Sequence, residues 1–327
     1  MNSTLGEIRD LLQSSLHTLY DEREASAIAK YYFEVRWGIN SYQFAIQRGQ
    51  NFPEENIPTV KADLQRLQDG EPVQYVTGKA NFFDLCLTVN PLVLIPRPET
   101  EELVQLLLQA LSSHPSSSNC EDAVGYNATT PPASAKGEGE LSTPLPNCED
   151  AVGYDVTSCR VLDFCTGSGA IAIAVAKHLP QAEVAATDYH PEILQLAQKN
   201  AEDHHVNIRF FCHDVLHNVA EVLNGPYQAI VSNPPYIPQS HKTQLHKNVA
   251  DYEPAEALFV PDDNPLLFYQ RIALLGRKLL ADKGVLFFET HEDYHEELEA
   301  LLLQLHYQNI RKLTDINGKP RFVTCKK

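Results

Sequence analysis

Residues 160–178 read RVLDFCTGSGAIAIAVAKH, an apolar run, a glycine-rich turn and a second apolar stretch. The first run is typical of a buried parallel strand, and the second predicts a helix that begins at Ala170. Strands and helices continue to alternate, with strands predicted at 182–187, 208–212, 227–232 and 284–289 and helices at 191–203 and 266–281. This alternation predicts an α/β fold with a doubly wound, mostly parallel sheet. A hairpin that turns at Asn317-Gly318 would add antiparallel strands at one edge.

The turn between the first strand and its helix has the features of a ligand-binding turn. Gly167 and Gly169 let the backbone pass close to a ligand, and the helix that follows begins with unpaired N–H groups. Asp188 ends the next strand, 19 residues after Gly169, where a carboxylate can accept both hydroxyls of a ribose. Asp214 or its neighbour Val215 ends the third strand and would lie beside the base. These positions predict an adenosine-type pocket.

The same turn also fits the dinucleotide fingerprint, as Gly167-x-Gly169-x-x-Ala172. A nicotinamide dehydrogenase is therefore an alternative. That enzyme would need a proton-transfer residue near the cofactor ring, and it would give no role to the Asn-Pro-Pro-Tyr motif at 233–236.

The motif Asn233-Pro234-Pro235-Tyr236 follows a predicted strand, at the edge where open α/β sheets bind ligands. Two prolines fix φ at two positions and remove two N–H donors, so the loop is stiff and rich in acceptors. A planar NH2 group suits this loop, because the Asn233 side-chain oxygen and the Pro234 carbonyl can accept its two hydrogens. The motif predicts a site for such a substrate, and a loop that merely ends a strand is the alternative.

Composition limits the partners that the chain can bind. It holds 26 Lys and Arg against 43 Asp and Glu, a formal net charge of −17. Because proteins that hold a phosphate backbone gain affinity from Lys and Arg, broad nucleic-acid binding is not expected. A protein partner with a basic surface is easier to accommodate.

Other classes are also disfavoured by the sequence. No apolar stretch approaches the ~20 residues that a membrane helix needs, and the first residues lack the basic and apolar regions of a signal peptide. Seven scattered cysteines form no C-x-x-C pair, so neither a zinc site nor a disulfide framework is expected. The chain is expected in a reducing cytoplasm, without a membrane partner.

Four segments are expected. They are a helical docking domain at 1–78, linking strands with a helix at 79–111, an inserted low-complexity loop at 112–157 and the α/β domain at 158–327. In the second segment, strands are predicted at 81–89 and 92–95, before a helix that begins at Pro98. The third segment lacks an apolar period and carries NCEDAVGY twice, at 119–126 and 147–154.

Two polar patterns have ordinary structural interpretations. Residues 291–295, His-Glu-Asp-Tyr-His, fit the zinc-protease pattern H-E-x-x-H. Because the pattern is short and directly follows a strand, a solvated first helical turn whose acids favour the helix dipole is preferred, with zinc as the alternative. Arg97 and Glu99 are interpreted as a surface ion pair.

Four stretches in this order resemble the peptide chain release factor glutamine methyltransferases of the HemK/PrmC type: GEPVQYVTG, VLIPRPETEELV, DFCTGSGA and SNPPYIP, at 70–78, 93–104, 163–170 and 232–238. The Asn-Pro-Pro-Tyr motif is shared with enzymes that methylate adenine and other exocyclic amines. The Arg-Pro-Glu-Thr-Glu stretch is far more specific to the glutamine enzymes.

This resemblance implies a Rossmann-like methyltransferase fold, S-adenosylmethionine as the methyl donor, and the glutamine of the Gly-Gly-Gln loop in class 1 release factors as the substrate. Carried over by position, the donor would be held by Cys165, Thr166, Gly167, Ser168, Gly169, Asp188, Asp214, Val215 and Asn233. The glutamine would be bound by Asn233, Pro234, Pro235 and Tyr236. The helical domain would help to hold the release factor.

The chain departs from the family pattern at two places, and two other functions stay open. The insertion at 112–157 is not usual, and Glu289-Thr290-His291 stands where the family commonly has Glu, a small residue and Gly. An adenine-type nucleic-acid methyltransferase would use the same loop on a flipped base. A non-catalytic module could dock on the translation machinery through its helical domain.

Overall fold

The computed structural model describes residues 3–112, 159–217 and 220–327. Apart from Ser112, the predicted insertion at 112–157 and its NCEDAVGY repeat lie outside these ranges. The insertion therefore stays a prediction.

The N-terminal region is helical, as predicted. Its helices are α1 (Leu5–Ser15), α2 (Glu22–Trp37), α3 (Ser41–Gln47), α4 (Ile57–Gln68) and α5 (Val73–Thr77). Thr4 caps α1 by accepting the Glu7 N–H at 3.2 Å, and Asp21 caps α2 in the same way. The helices enclose a separate apolar core in which Leu12 and Tyr32 are fully buried.

The linking segment differs from the prediction in its strands. The expected strand at 81–89 is a hairpin of β1 (Lys79–Phe82) and β2 (Leu85–Thr88), because Phe83 and Asp84 turn the chain with φ of 46° and 63°. The expected strand at 92–95 does not form. The Val93 carbonyl accepts the Tyr75 hydroxyl at 2.6 Å, and the Ile95 N–H donates to Glu253 at 3.2 Å. These side chains take the bonds that a neighbouring strand would make.

The α/β domain holds a mostly parallel sheet with an antiparallel hairpin, which confirms the predicted fold class. Its strands are β3 (Arg160–Phe164), β4 (Glu183–Asp188), β5 (Ile208–Cys212), β6 (Tyr227–Ser232), β9 (Leu280–Glu289), β10 (Gln308–Thr314) and β11 (Pro320–Lys326). They lie in the order β10-β11-β9-β6-β3-β4-β5. The neighbours among β3, β4, β5, β6 and β9 pair in parallel, and β11 runs antiparallel to β9 and β10.

Helices cover both faces of this sheet. The longer ones are α6 (Pro98–Ser112), α7 (Ala170–His178), α8 (Pro191–Asp203), α11 (Leu267–Leu279) and α12 (His295–Gln304). On one face, Leu107 of α6 and Ile173 of α7 pack against Val161, whereas Ile272 and Leu302 pack on the other face. Each large apolar side chain buried in this way stabilises the fold by about 1.5–3 kcal/mol. Within the described ranges, no helix is both long enough and apolar enough to cross a membrane.

The strand order places a crevice at one end of the sheet. The chain runs from β3 outward to β4 and β5, and then returns to the other side of β3 as β6. Ligands bind α/β sheets where the order reverses, at the carboxyl ends of the strands. A second short pairing, β7 (Ile237–Pro238) with β8 (Phe259–Val260), and helices α9 (Lys247–Tyr252) and α10 (Ala255–Leu258) lie between β6 and α11.

Candidate active site

A cavity of about 440 Å³ opens at this end of the sheet. Most of the predicted site residues line it: Cys165, Thr166, Gly167, Ser168, Asp188, Asp214, Val215, Asn233 and Pro235. Gly169, Pro234 and Tyr236 lie just outside its lining. The structure therefore brings the residues of four strand ends, β3 to β6, to one space.

The turn after β3 is held in an unusual backbone conformation. Cys165, Gly167 and Gly169 have φ of 58°, 55° and 85°, in the left-handed region that glycine adopts without strain. Thr166 donates its hydroxyl to the Asp163 Oδ2 at 2.6 Å, and Asp163 is fully buried. A side chain at Gly169 would come within 3.3 Å of the Ala197 Cβ in α8. Gly169 therefore allows α8 to pack closely against the turn, and the buried Asp163 carboxyl holds the turn in place through Thr166.

Asp188 ends β4 and reaches the cavity from the next strand. Its side chain accepts the Gly167 N–H through Oδ2 and the Tyr189 N–H through Oδ1, both at 2.9 Å. Burial raises the pKa of this carboxyl, and the two backbone donors partly offset that rise. Since each carboxylate oxygen can accept more than one hydrogen bond, Asp188 keeps acceptor capacity for a ligand.

Asp214 and Val215 follow β5 on the far side of the cavity. Asp214 accepts the Leu216 N–H at 2.9 Å and lies 2.7 Å from the His217 Nδ1. Val215 is buried, and its carbonyl accepts the Arg271 Nε at 2.9 Å. These contacts hold an apolar wall and an acceptor at the position where the sequence predicts a base.

Asn233 projects from the end of β6, where it is joined to a chain of polar groups. Its Nδ2 donates to the Thr100 Oγ1 at 3.2 Å, and the Thr100 hydroxyl donates to the Glu289 Oε2 at 2.7 Å. The Tyr236 hydroxyl donates to the other oxygen of Glu289 at 3.3 Å. Among the described residues, none donates to the Asn233 Oδ1, so this oxygen is available to a ligand in the cavity.

Glu289 lies at the carboxyl end of β9, almost fully buried. Burial raises the pKa of its carboxyl to about 7, although the hydrogen bond from Thr100 and the positive charge of Arg321 both lower it. Glu99 raises it further, and Tyr236 lowers it by donating a hydrogen bond. The Tyr269 hydroxyl donates to the Glu289 backbone carbonyl at 3.1 Å. This carboxyl is therefore enclosed by the protein, and it accepts at both oxygens only when it is ionised.

Residues 253–261 form the roof of the cavity, and five of them line it: Pro254, Glu256, Ala257, Phe259 and Pro261. The roof is tied down at two points. Glu253, which is buried, pairs with the Arg97 Nη2 at 2.5 Å, and Glu256 accepts the Tyr189 hydroxyl. The interpretation of Arg97 and Glu99 as a surface pair was wrong, because Arg97 binds a buried carboxylate 156 residues away.

The His291–His295 pattern is only partly the solvated turn that the sequence predicts. Glu292 and Asp293 are exposed, but His295 is buried, and its Nε2 lies 2.5 Å from the Thr290 hydroxyl. His291 accepts the Asp293 N–H at 3.2 Å and caps a short helical turn. In the parts of the chain that the structure describes, no group of three His, Cys, Asp or Glu side chains is placed to hold a metal ion.

Sequence reasoning missed Thr100, Glu253 and Glu256 as parts of this site. Thr100 lies inside the Arg-Pro-Glu-Thr-Glu stretch, and its position in this specific motif could have indicated a role in the site. The two glutamates carry no local pattern, and only the fold brings them to the cavity.

Comparisons with known proteins identify similar sequences over nearly the whole chain. Residues 10–78 match the model of the PrmC N-terminal domain, and residues 151–252 match the methyltransferase small domain. The release factor glutamine methyltransferase of Bacteroides thetaiotaomicron is 33% identical over 98% of this chain and 99% of its own length. That of Flavobacterium psychrophilum is 32% identical over 94% of both chains.

Solved structures of methyltransferases overlap only part of the chain. The crystal structure of TrmN from Thermus thermophilus is 24% identical and covers 52% of this chain and 44% of its own, with a TM-score of 0.36.

Proposed function

The chain belongs to the release factor glutamine methyltransferase family, and from this we propose that it methylates the side-chain amide nitrogen of the Gly-Gly-Gln glutamine in class 1 release factors. S-adenosylmethionine supplies the methyl group. The observation that carries the proposal is the free Asn233 oxygen, held at the edge of a cavity that also contains the Asp188 carboxylate.

The residues around the cavity fit this donor. A volume of about 440 Å³ lies within the range of small-molecule sites, roughly 300–1,000 Å³. Asp188 offers acceptors to ribose hydroxyls, and the positive φ of Gly167 brings the turn close without a side chain in the way. Val215 would pack against the adenine, and Asp214 would lie beside it.

Asn233 and its loop would prepare the glutamine. An amide nitrogen is a poor nucleophile, because its lone pair is delocalised into the carbonyl. The Asn233 Oδ1 and the Pro234 carbonyl would accept its two hydrogens, which raises electron density on nitrogen and fixes its direction. Tyr236 would pack against the amide plane. Positioning of this kind is worth up to about 7–11 kcal/mol in well-oriented systems.

Pro235 would keep this loop rigid. It is buried, lines the cavity and cannot donate a hydrogen bond from its nitrogen. The proton that the methylated nitrogen loses would pass to water or to a carbonyl, so the site needs no charged base.

The helical domain, residues 1–78, would help to hold the release factor. It contacts the chain that follows the Asn233 loop: the Asn248 Nδ2 donates to the Tyr20 hydroxyl at 2.6 Å, and the Tyr252 hydroxyl donates to the Asp69 carbonyl at 2.9 Å. Tyr42 and Ile46 of α3 are 75% and 60% exposed, so this domain carries apolar surface available to a partner.

The reaction belongs in the cytoplasm, where translation ends. The cysteines within the described ranges are free thiols, and disulfides are rare in proteins of a reducing compartment. The adenine-type alternative is not favoured, because the glutamine enzymes match nearly the whole chain.

The test is incubation with labelled methyl donor and purified class 1 release factors, followed by mapping of the modified residue by mass spectrometry. Label is expected on the glutamine of Gly-Gly-Gln and absent when that glutamine is replaced by alanine. Label on another residue would refute the proposed target. Binding to DNA that weakens steeply with salt, with label on adenine, would support the nucleic-acid alternative.

A further inference from the structure

Thr100 and Glu289 lie next to the proposed substrate-binding loop but come from distant parts of the sequence. Thr100 is in the first turn of α6 and Glu289 ends β9, and they are 133 and 56 residues from Asn233. Both are buried, with 4% and 1% of their surface exposed. Thr100 also lines the cavity. A buried hydroxyl in contact with a candidate catalytic amide, itself bonded to a buried carboxyl, needs a reason to be there.

Asn233, Thr100 and Glu289 form a row of hydrogen bonds. While Glu289 is ionised, the donors and acceptors of this row can be arranged in one direction only. A carboxylate accepts hydrogen bonds and donates none. The Thr100 hydroxyl, 2.7 Å from the Glu289 Oε2, must therefore donate to it. A hydroxyl has a single hydrogen, so toward Asn233 the Thr100 oxygen can only accept.

This direction decides which end of the Asn233 carboxamide points into the cavity. The NH2 group must face the Thr100 oxygen, 3.2 Å away, and the carbonyl oxygen must face the other way. The reversed amide would set its oxygen against an acceptor. It would also present an NH2 group to the substrate amide, whose own hydrogens need an acceptor.

We propose that Thr100 and Glu289 are positioning residues, which lock the Asn233 carboxamide with its oxygen toward the substrate amide. The proposal rests on the proposed function. Tyr236 shares the arrangement, because its hydroxyl donates to the second oxygen of Glu289. The Arg-Pro-Glu-Thr-Glu stretch and the Asn-Pro-Pro-Tyr motif would then act as one unit, joined through the threonine of the first and the asparagine of the second.

The test compares Thr100→Val with Thr100→Ser. Valine keeps the shape of threonine and removes the hydroxyl, so kcat on a release factor should fall about tenfold, with the affinity for S-adenosylmethionine almost unchanged. Because the buried Glu289 carboxylate loses a donor, the melting temperature should also fall, as in the control below. Serine keeps the hydroxyl and should recover most of the lost kcat. If Thr100→Val keeps the wild-type kcat, or if both variants lose the same amount, the proposal is refuted.

Thr77→Val is the matched control. Its hydroxyl is also buried and donates to the Val73 carbonyl at 2.8 Å, but it lies in α5 of the helical domain. This variant should lower the melting temperature without lowering kcat. A kcat loss equal to that of Thr100→Val would mean that any buried hydroxyl matters, which contradicts a specific role for Thr100.

A second readout does not depend on the substrate. In wild-type protein with S-adenosylmethionine, the Asn233 side-chain NH2 should exchange its hydrogens slowly by NMR, and Thr100→Val should make that exchange faster. Equal exchange rates would refute the positioning role. A wild-type enzyme that methylates no release factor would instead refute the proposed function, so the two failures can be told apart.

Discussion

Replacement of Asn233 by alanine should lower kcat by about 10²–10³-fold, the usual cost of removing one preorganised hydrogen-bonding group from a reacting centre. The structure explains why the loss should appear in turnover. The Asn233 Oδ1 has no donor among the described residues, so its removal leaves no buried N–H of the protein unpaired. Thr100 keeps its bond to Glu289. The cost to stability should therefore be near that of one lost hydrogen bond, about 0.5–1.5 kcal/mol.

Asp188→Asn is the matched comparison, because it should show the opposite pattern. Both oxygens of the Asp188 carboxylate accept backbone N–H groups, whereas an amide would set its NH2 against one of them. The Kd for S-adenosylmethionine should rise about tenfold to a hundredfold. Turnover at a saturating donor concentration should fall much less than in Asn233→Ala.

The assay measures kcat at saturating donor and release factor, with the Kd for the donor taken from calorimetry on the same preparations. Wild-type turnover in Asn233→Ala would refute the role given to the carboxamide. A loss of kcat that disappears at higher donor concentration would also refute it, because Asn233 would then act in donor binding alone.

Other groups should respond to pH or to truncation. Burial raises the pKa of Asp163 from 3.8 to about 7, so the folded protein binds more protons than the unfolded chain between these values, and the free energy of unfolding should fall as pH rises from about 4 to about 7. Asp163→Asn should flatten this fall in urea titrations, and an unchanged slope would contradict the assignment. Burial likewise raises the pKa of Glu289 to about 7; kcat should increase as this carboxyl ionises, and Glu289→Gln should lose that limb of the pH–rate profile. An identical profile in the variant would assign the limb to another group. Leu107→Ala should lower the free energy of unfolding by about 2–5 kcal/mol, whereas the exposed Leu303→Ala should cost less than about 0.5 kcal/mol; equal losses would contradict the described core.

The parts of the fold that local pattern controls could be predicted from the sequence. The strand, glycine turn and helix at 160–178 are found with the predicted bounds, since apolar runs and glycines act over a few residues. The hairpin at 79–88 was missed, because Phe83 and Asp84 turn the chain in left-handed conformations without glycine. β9 begins at Leu280, four residues before its predicted start, directly after α11 ends.

The site could be predicted only as far as each residue stands in a motif. Asn233 and Asp188 follow apolar runs, so their positions at the strand ends could be predicted. The hydrogen bonds that connect Asn233 to Thr100 and Glu289 could not be predicted, because Thr100 is 133 residues from Asn233 and 189 residues from Glu289. Contacts over such distances depend on the order of strands in the sheet, which no local period specifies.

The roof at residues 253–261 has a consequence for the timing of the reaction cycle. A single continuous stretch of chain runs from Asn233 through β7 and β8 to Pro261, and the pairing of β7 with β8 joins the proposed glutamine-binding loop to the roof. If the roof opened to exchange the spent donor, the paired strands would also displace the loop that would bind the glutamine amide. We therefore expect the methylated protein to leave first, with renewal of the donor as a later event.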